Sequence, residues 1–360
     1  MALAASTAGT KPADSSKILR LSQVEQRPQP AARSAAVIGT GAFVGSARLT
    51  NSDLEQMVDT SDTWIRERTG IVSRPIATAE QATSDLAYGA AVRALTSAKM
   101  DPADLDLIIV ATVTPDMPFP SVGTILQERL GAKRAVAFDI AAACAGFLFG
   151  LTTAWNMITA GMYQNALVVG AETLSRVTDY QDRTTCVLFG DGAGAVVLTA
   201  APHGMGVVSS VLATDGSGVP FLHQPAGGSR QPASLETVGQ RQHFIKMIGQ
   251  EVYRSAVRGM VSTCSAALEK AGLKAEDLAM VIPHQANLRI IEAVTGRLGV
   301  PSDRVLVNIQ ETGNLSAASI PVALDQAVRE GQLHDGDLIL MTAFGAGWSY
   351  GAVVLRWGVA

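Results

Sequence analysis

Short apolar runs alternate along the chain with stretches in which apolar residues recur every three or four positions. Residues 135–140 are an apolar run of strand length, and small residues separate this run from the most apolar long stretch, 141–162. That stretch includes three threonines, an asparagine and several glycines, which is typical of a buried helix rather than a membrane span. Alternating strands and amphipathic helices predict an α/β fold with a largely parallel central sheet.

The pattern occurs twice. Three pairs of segments match in the same order: residues 98–110 with 271–282, Arg129-Leu-Gly131 with Arg297-Leu-Gly299, and Gly194-Ala-Val-Val-Leu198 with Gly351-Ala-Val-Val-Leu355. One short match can arise by chance, but three in register indicate a duplication with halves of about 160 residues. We expect one half at residues 34–205 and the other at residues 206–360.

Residues 1–33 differ from the rest of the chain. They are rich in Ala, Ser, Thr, Pro and Gln and show little apolar periodicity, so we expect a disordered N-terminal extension. The segment lacks the continuous apolar region of a secretory signal. Asp14 and Glu25 also weaken an assignment as an organelle transit peptide, which would place the protein in an organelle stroma.

Composition narrows the function classes. Hydrophobic residues make up 48% of the chain and charged residues 17%, which is typical of a well-buried globular protein. The net charge of −4 does not favour nucleic-acid binding. The three cysteines are widely spaced, so neither a zinc site nor a disulfide framework is indicated. A reducing, cytoplasmic location fits this cysteine usage.

Cys144 lies between the strand at residues 135–140 and the apolar helix that follows. A thiol at a helix N-terminus is favoured as a thiolate nucleophile, because unpaired N–H groups and the helix dipole stabilise negative charge. The alternative is that Cys144 fills the core, as many free cysteines do. The repeat supports the first interpretation, since Asn314 occupies the corresponding turn of the second half.

His284 follows a short apolar strand and Pro283, at a strand end where sites occur in α/β proteins. Asn314 lies in a turn of small residues before a helix, where it could also serve as a cap. The other histidines, at positions 203, 223, 243 and 334, lie in polar segments and are predicted at the surface. Cys, His and Asn together can form a thioester and stabilise an enolate or oxyanion.

At these residues the chain resembles β-ketoacyl-acyl-carrier-protein synthase III, the priming condensing enzyme of fatty-acid synthesis in the thiolase superfamily. The resemblance covers residues 34–360. Its motifs are Ser61-Asp-Thr-Trp64-Ile-Arg-Glu-Arg68-Thr-Gly70-Ile71, the Cys144 turn, Phe189-Gly-Asp191-Gly-Ala-Gly194, Pro283-His284-Gln-Ala-Asn287 and Gly313-Asn314-Leu-Ser316-Ala-Ala-Ser319.

The resemblance implies a thiolase-like fold of two pseudo-symmetric βαβαβαββ halves in five αβαβα layers, usually as a homodimer. It also implies that Cys144 is acylated by acyl-CoA, and that His284 and Asn314 then support decarboxylation of malonyl-acyl-carrier protein. The condensation yields 3-oxoacyl-carrier protein, CoA and CO2. Neither a metal nor a redox cofactor is expected, and neither nucleic acid nor a membrane is an expected partner.

Further roles follow from the same resemblance. The oxyanion hole would use the backbone N–H groups of Cys144 and Ala346, although family members often carry three glycines where this chain has Gly345-Ala346-Gly347. The other implied roles are CoA binding by Trp64, Arg68 and Arg183, closure of the partner subunit's acyl pocket by Phe119, and docking of the acidic carrier protein by Arg254, Arg289 and Arg297.

Other functions are also compatible with these residues. A synthase III-like enzyme of secondary metabolism, with another starter or acceptor, would carry the same residues. Chain-elongating synthases use Cys-His-His, so Asn314 argues against that class. A non-catalytic subunit of a condensing system typically lacks the nucleophile, which this chain retains. A bulky Phe119 favours a short starter such as acetyl-CoA.

Overall fold

The computed structural model describes residues 34–202 and 204–358, and the extension predicted for residues 1–33 lies outside them. The strands are β1 (Ser34–Val44), β2 (Ala47–Thr50), β3 (Ser73–Ile76), β4 (Leu107–Ala111), β5 (Val136–Ile140), β6 (Asn165–Thr173), β7 (Asp191–Ala201), β8 (Gly206–Thr214), β9 (Leu222–His223), β10 (Lys246–Met247), β11 (Met280–Pro283), β12 (Leu338–Gly345) and β13 (Ser349–Arg356). The helices are α1 (Asn51–Glu55), α2 (Asp62–Thr69), α3 (Thr83–Ala98), α4 (Val122–Leu130), α5 (Gly146–Thr159), α6 (Leu235–Gly239), α7 (Gly249–Ala271), α8 (Leu288–Leu298), α9 (Ile309–Thr312) and α10 (Ser319–Arg329).

Two large sheets repeat one topology. The first has the order β1-β7-β6-β4-β5, and the second has the equivalent order β8-β13-β12-β11. The first sheet has two parallel pairs, β6–β4 and β4–β5, and the second has one, β12–β11. In each sheet the last strand of the half, β7 or β13, pairs antiparallel with both of its neighbours. The expectation of a largely parallel sheet is therefore wrong, because the closing ββ unit and the first strand of each half add antiparallel pairs.

The fold has five layers, and the helices α5 and α10 form the middle one. Apolar residues of both sheets pack with α5 and α10 in one buried cluster. Helices α3 and α4 cover the outer face of the first sheet, and α7 and α8 cover that of the second. This is the predicted αβαβα arrangement. The boundary predicted between residues 205 and 206 falls between β7 and β8, and the division into halves there stays a prediction.

The second sheet lacks a full counterpart of β5. Residues 305–309 match β5 in sequence but form only a single bridge, from Val305 to Val281. The buried amide of Gln285 binds the backbone that a strand partner would otherwise use. Its Nε2 donates to the carbonyl of Leu306, and its Oε1 accepts from the N–H groups of Asn308 and Ile309.

No helix in the described parts of the chain is both long and apolar enough to span a membrane.

The two halves meet through backbone atoms at Gly170 of β6, and this contact can be tested. A Cβ at Gly170 would lie 2.2 Å from the carbonyl oxygen of Ala317. We expect Gly170→Ala to lower the free energy of unfolding by about 1–3 kcal/mol, because backbone must shift to relieve the overlap. The measurement is urea unfolding followed by circular dichroism.

Gly296→Ala is the matched control. Nothing lies within 4 Å of a Cβ at this position in α8, so the substitution should raise stability by about 0.5–1 kcal/mol through helix propensity. Equal unfolding midpoints for Gly170→Ala and the unaltered protein would show that the contact between the halves is not close.

Candidate active site

Cys144 lies in the 3-10 turn Ala143–Ala145, between β5 and α5. The chain reverses sharply here, with Ala143 in the left-handed region at a φ of 46°. The end of β12 packs against this turn. A Cβ on Gly345 would lie 2.8 Å from the backbone nitrogen of Cys144, so only glycine allows this approach. The contact brings the residue after Gly345, Ala346, to the wall of the cavity that Cys144 also lines.

Burial favours the neutral thiol form of Cys144 over the thiolate. Burial raises its pKa to about 12, and the charge of Glu172 acts in the same direction. The start of a helix therefore does not by itself yield a thiolate here, because loss of water disfavours the charged form more strongly. Any reaction at this sulfur would need a proton acceptor.

His284 is buried directly after β11. Its backbone N–H donates to the carbonyl of Thr342 at 2.8 Å, which fixes the residue beside β12. The Nδ1 atom is buried without a partner, which leaves Nε2 as the ring nitrogen that faces the cavity. Burial lowers the pKa of His284 to about 3, so the ring is neutral at physiological pH and can donate only one hydrogen bond.

Asn314 is buried in the turn that follows α9. Its backbone N–H donates to the carbonyl of Leu188 at 2.9 Å, and its carbonyl accepts from the N–H of Gly190 at 3.0 Å. The first half thus holds this residue of the second half. The Oδ1 atom accepts from the backbone N–H of Ser316 at 2.8 Å. The Nδ2 group is therefore the part of the amide available to the cavity.

Gln285 joins the positions of His284 and Asn314. Its side chain bridges the end of β11 to the segment that begins α9, and Nε2 also donates to the carbonyl of Pro283 at 2.8 Å. Sequence reasoning missed this role, although Gln285 lies within the quoted motif beside His284. It also missed Glu172, which carries no sequence signal because its hydrogen-bond donors come from two distant segments, residues 112–114 and Ser316.

One cavity brings the three predicted residues together. Its volume is about 880 Å³, and Cys144, His284 and Asn314 all line it. Apolar residues from the segments around residues 174–189 and 245–260 form much of the remaining wall. Among the described residues, no group of three or more His, Cys, Asp or Glu side chains is arranged to hold a metal ion.

Trp64 and Arg68 lie at the cavity on α2, which begins at the cap residue Ser61 and ends at Gly70 in the left-handed conformation. The guanidinium of Arg183 lies 5.1 Å from the centre of the Trp64 ring. An adenine stacked between the Trp64 ring and the Arg183 guanidinium would need roughly 7 Å between the two groups, the sum of two van der Waals contacts. Arg183 Nη1 donates to the carbonyl of Asp59 at 2.7 Å, so this arginine must move before a base can enter.

The remaining predicted residues lie on the surface. Arg289 lines the cavity at the start of α8, whereas Arg254 on α7 and Arg297 on α8 are exposed outside it. Arg254 also pairs with Glu251 at 3.2 Å. Phe119 is 83% exposed and does not line the cavity of its own chain.

The histidines predicted at the surface differ in their exposure. His223 lines the cavity, so that prediction is wrong for this residue: β9 carries it and pairs with β10 beside the opening. His243 is half-buried against the Thr237 hydroxyl at 2.9 Å, whereas His334 is exposed. Position 203 lies outside the described residues.

Two family profiles match this chain. The family profile described as 3-oxoacyl-[acyl-carrier-protein] synthase III matches residues 138–216, and the profile of its C-terminal part matches residues 268–357. A β-ketoacyl-[acyl-carrier-protein] synthase III of Desulfitobacterium hafniense is 53% identical over 90% of this chain and 98% of its own. One from Caldanaerobacter subterraneus is 54% identical at the same coverage.

Solved structures of similar enzymes have the same fold as this chain. The synthase III of Aquifex aeolicus matches with a TM-score of 0.83 and 47% identity, covering 90% of this chain and 100% of its own. The priming β-ketosynthase of the R1128 polyketide pathway matches with a TM-score of 0.85 and 36% identity, covering 92% and 99%. With identity above one half across nearly the whole length of curated relatives, the chain belongs to the β-ketoacyl-[acyl-carrier-protein] synthase III family.

Proposed function

We propose that this protein initiates fatty-acid synthesis as an acyltransferase. It would condense a short acyl-CoA with malonyl-acyl-carrier protein, giving 3-oxoacyl-acyl-carrier protein, CoA and CO2. The observation that carries the proposal is the convergence of Cys144, His284 and Asn314 on one cavity, in a chain about half identical to synthases of this name.

The first half-reaction forms a thioester. The Cys144 sulfur attacks the acyl-CoA carbonyl, the carbon–sulfur bond to CoA breaks, and CoA leaves as a thiolate. The backbone N–H groups of Cys144 and Ala346 are the proposed donors to the oxyanion, because the close approach of Gly345 brings both to the same end of the cavity.

The second half-reaction forms the carbon–carbon bond. Malonyl-carrier protein loses CO2, and the electron pair becomes an enolate whose oxygen accepts hydrogen bonds from His284 Nε2 and Asn314 Nδ2. Two neutral donors suit this task, since burial keeps His284 uncharged and the Ser316 N–H already binds the amide oxygen of Asn314. The enolate carbon then attacks the Cys144 thioester and expels the sulfur.

Substrate binding completes the proposal. Trp64, Arg68 and Arg183 would bind CoA at the cavity opening, and Arg254, Arg289 and Arg297 would attract the acidic carrier protein. Exposed Phe119 would enter the acyl pocket of a second copy in a homodimer and favour acetyl as the starter. We also propose a cytoplasmic location and a reaction that needs neither metal nor redox cofactor.

A second candidate is priming in secondary metabolism. The 36% identity to the R1128 priming β-ketosynthase over almost the whole chain supports it. The two proteins share one fold, so the difference would lie in which acyl-CoA loads Cys144.

Trapping the acyl-enzyme tests the function. We expect labelled acetyl-CoA to place a thioester on the Cys144 peptide, and malonyl-carrier protein to convert the label into 3-oxobutanoyl-carrier protein. Cys144→Ala should abolish labelling, while Cys264→Ala, which alters a buried thiol in α7, should not. Peptide mass spectrometry with a panel of acyl-CoAs also ranks the starters. Release of free acetate would indicate a hydrolase, and absence of label a non-catalytic subunit.

Asn314→Ala should separate the two half-reactions. Loss of one enolate donor should slow decarboxylation and condensation by about 10²–10³-fold, while acyl transfer to Cys144 changes less than about threefold. The measurement is rapid-quench kinetics of each step. Asn156→Ala removes an α5 amide outside the cavity lining and serves as control. Equal loss in both steps would contradict the assigned role.

Charge reversal at Arg289 tests carrier docking. Arg289→Glu should raise the KM for malonyl-carrier protein about tenfold, equivalent to roughly 1.4 kcal/mol, and leave acetyl transfer from CoA unchanged. Lys133→Glu reverses an exposed charge after α4 and outside the cavity lining, so its kinetics should match those of the unaltered protein. An unchanged KM for Arg289→Glu would remove Arg289 from the docking surface.

A further inference from the structure

Glu172 ends β6 as a fully buried carboxyl group surrounded by donors. The hydroxyl of Thr114 donates to it at 2.6 Å, that of Ser316 at 3.0 Å and that of Thr112 at 3.2 Å, and the backbone N–H of Val113 donates at 3.1 Å. Across residues 34–202 and 204–358, no lysine, arginine or histidine forms an ion pair with Glu172.

The hydroxyl hydrogens point toward Glu172 because the backbone occupies the other side of each threonine oxygen. The N–H of Thr114 donates to Thr112 Oγ1 at 3.1 Å, and the N–H of Thr173 donates to Thr114 Oγ1 at 2.9 Å. All of the groups around Glu172 therefore donate hydrogen bonds to it. This environment suits an ionised carboxylate, which can only accept them. A buried carboxylate with several donors and no cation is suited to take up a proton.

Ser316 connects this carboxylate to the nucleophile. Its hydroxyl donates to Glu172 Oε1 at 3.0 Å, and the 316–318 turn that carries it packs against the 143–145 turn of Cys144, with both residues lining the same cavity. Because the hydroxyl hydrogen is directed to Glu172, a lone pair of the same oxygen is available to the S–H group. The order is Cys144 S–H, Ser316 O–H, Glu172 carboxylate.

We propose that Ser316 and Glu172 form a proton relay that takes the thiol proton of Cys144 during acylation and returns it after condensation. This relay rests on the proposed function. As the sulfur–acyl bond forms, the thiol proton moves to Ser316 and the Ser316 proton moves to Glu172, while CoA leaves as a thiolate and takes a proton from solvent. When the enolate carbon expels the sulfur, the proton on Glu172 returns through Ser316 to the Cys144 thiolate.

The relay also keeps negative charges apart during the reaction. Glu172 is neutral while the thioester is in place, so no buried carboxylate opposes the enolate that forms nearby. Burial raises the pKa of Glu172 to about 7, near the operating pH of a general base, whereas His284 with a pKa lowered to about 3 is a poor acceptor.

Two other acidic side chains lie on elements packed against Glu172. Asp191 pairs with Thr173 across β6 and β7, on the opposite face of the sheet from Glu172. Asp116 lies after the Thr112–Thr114 segment, with its carboxylate bonded to Ser84. Neither carboxylate hydrogen-bonds to a residue that contacts Glu172.

Comparison of the halves supports a dedicated role. By strand register Glu172 corresponds to Gly345, and by position in the 3-10 turn Ser316 corresponds to Ala143. The positions equivalent to Glu172 and Ser316 in the other half thus carry no such pair, and the pair that does exist lies beside Cys144. Ala143 adopts a φ of 46° and Ser316 a φ of 49°, so alanine can occupy the turn at position 316 without a new conformation.

The experiment measures alkylation of Cys144 by iodoacetamide from pH 5.5 to 9, followed on the Cys144 peptide, together with acetyl transfer from labelled acetyl-CoA. The variants are Glu172→Gln and Ser316→Ala. Ser319→Ala is the control, because it removes a buried hydroxyl without a partner three residues along the same segment. We expect the unaltered protein and the control to show a rise in rate with a midpoint near pH 7.

Both relay variants should lose that midpoint and react about tenfold or more slowly near pH 7.5 in both assays. If Glu172 acted only as a fixed charge, Glu172→Gln would react faster, since its removal would lower the thiol pKa; that result overturns the relay. So does retention of the midpoint in either variant. Absence of acetyl transfer in the unaltered protein would refute the proposed function, while the alkylation profile would still decide the relay.

Discussion

The two duplicated halves meet through backbone atoms at glycine positions. Gly170 of the first half lies against the carbonyl of Ala317, and Gly345 of the second half lies against the turn that carries Cys144. A methyl group at either position would overlap main-chain atoms. Because backbone rather than flexible side chain forms the contact, it fixes the distance between the two strand-to-helix turns. The relative positions of Cys144, Asn314 and Ala346 depend on this distance.

Within this symmetric frame the halves have different chemistry. The first half contributes Cys144, the proposed nucleophile, whose counterpart in the second half is Ala317. The second half contributes His284 and Asn314, the proposed donors. The Gln285 amide binds the backbone between them, where the first half has the edge strand β5. A duplicated fold thus supplies two equivalent turns, and substitution of a few side chains makes one a nucleophile site and the other its support.

Sequence patterns predicted the duplication and the three cavity residues, because strand ends and small-residue turns have local signatures. They did not predict the mixed sheets or the loss of the strand at residues 305–309, which depends on a side chain twenty residues earlier in the chain. The neutral state of Cys144 could not be read from its position at a helix start, since the desolvation comes from distant segments. The Glu172 network is missed for the same reason: its donors come from two separate parts of the chain, residues 112–114 and Ser316.

The central claim is that the two turns form a single thioester site around Cys144, and a crystal structure of the protein after reaction with acetyl-CoA tests it most directly. We expect an acetyl group on the Cys144 sulfur, with the thioester oxygen 2.7–3.1 Å from the backbone nitrogens of Cys144 and Ala346, the range typical of an oxyanion hole. His284 Nε2 and Asn314 Nδ2 should face the same acetyl group. An acetyl group on another residue, or a thioester oxygen directed away from both nitrogens, would contradict the claim.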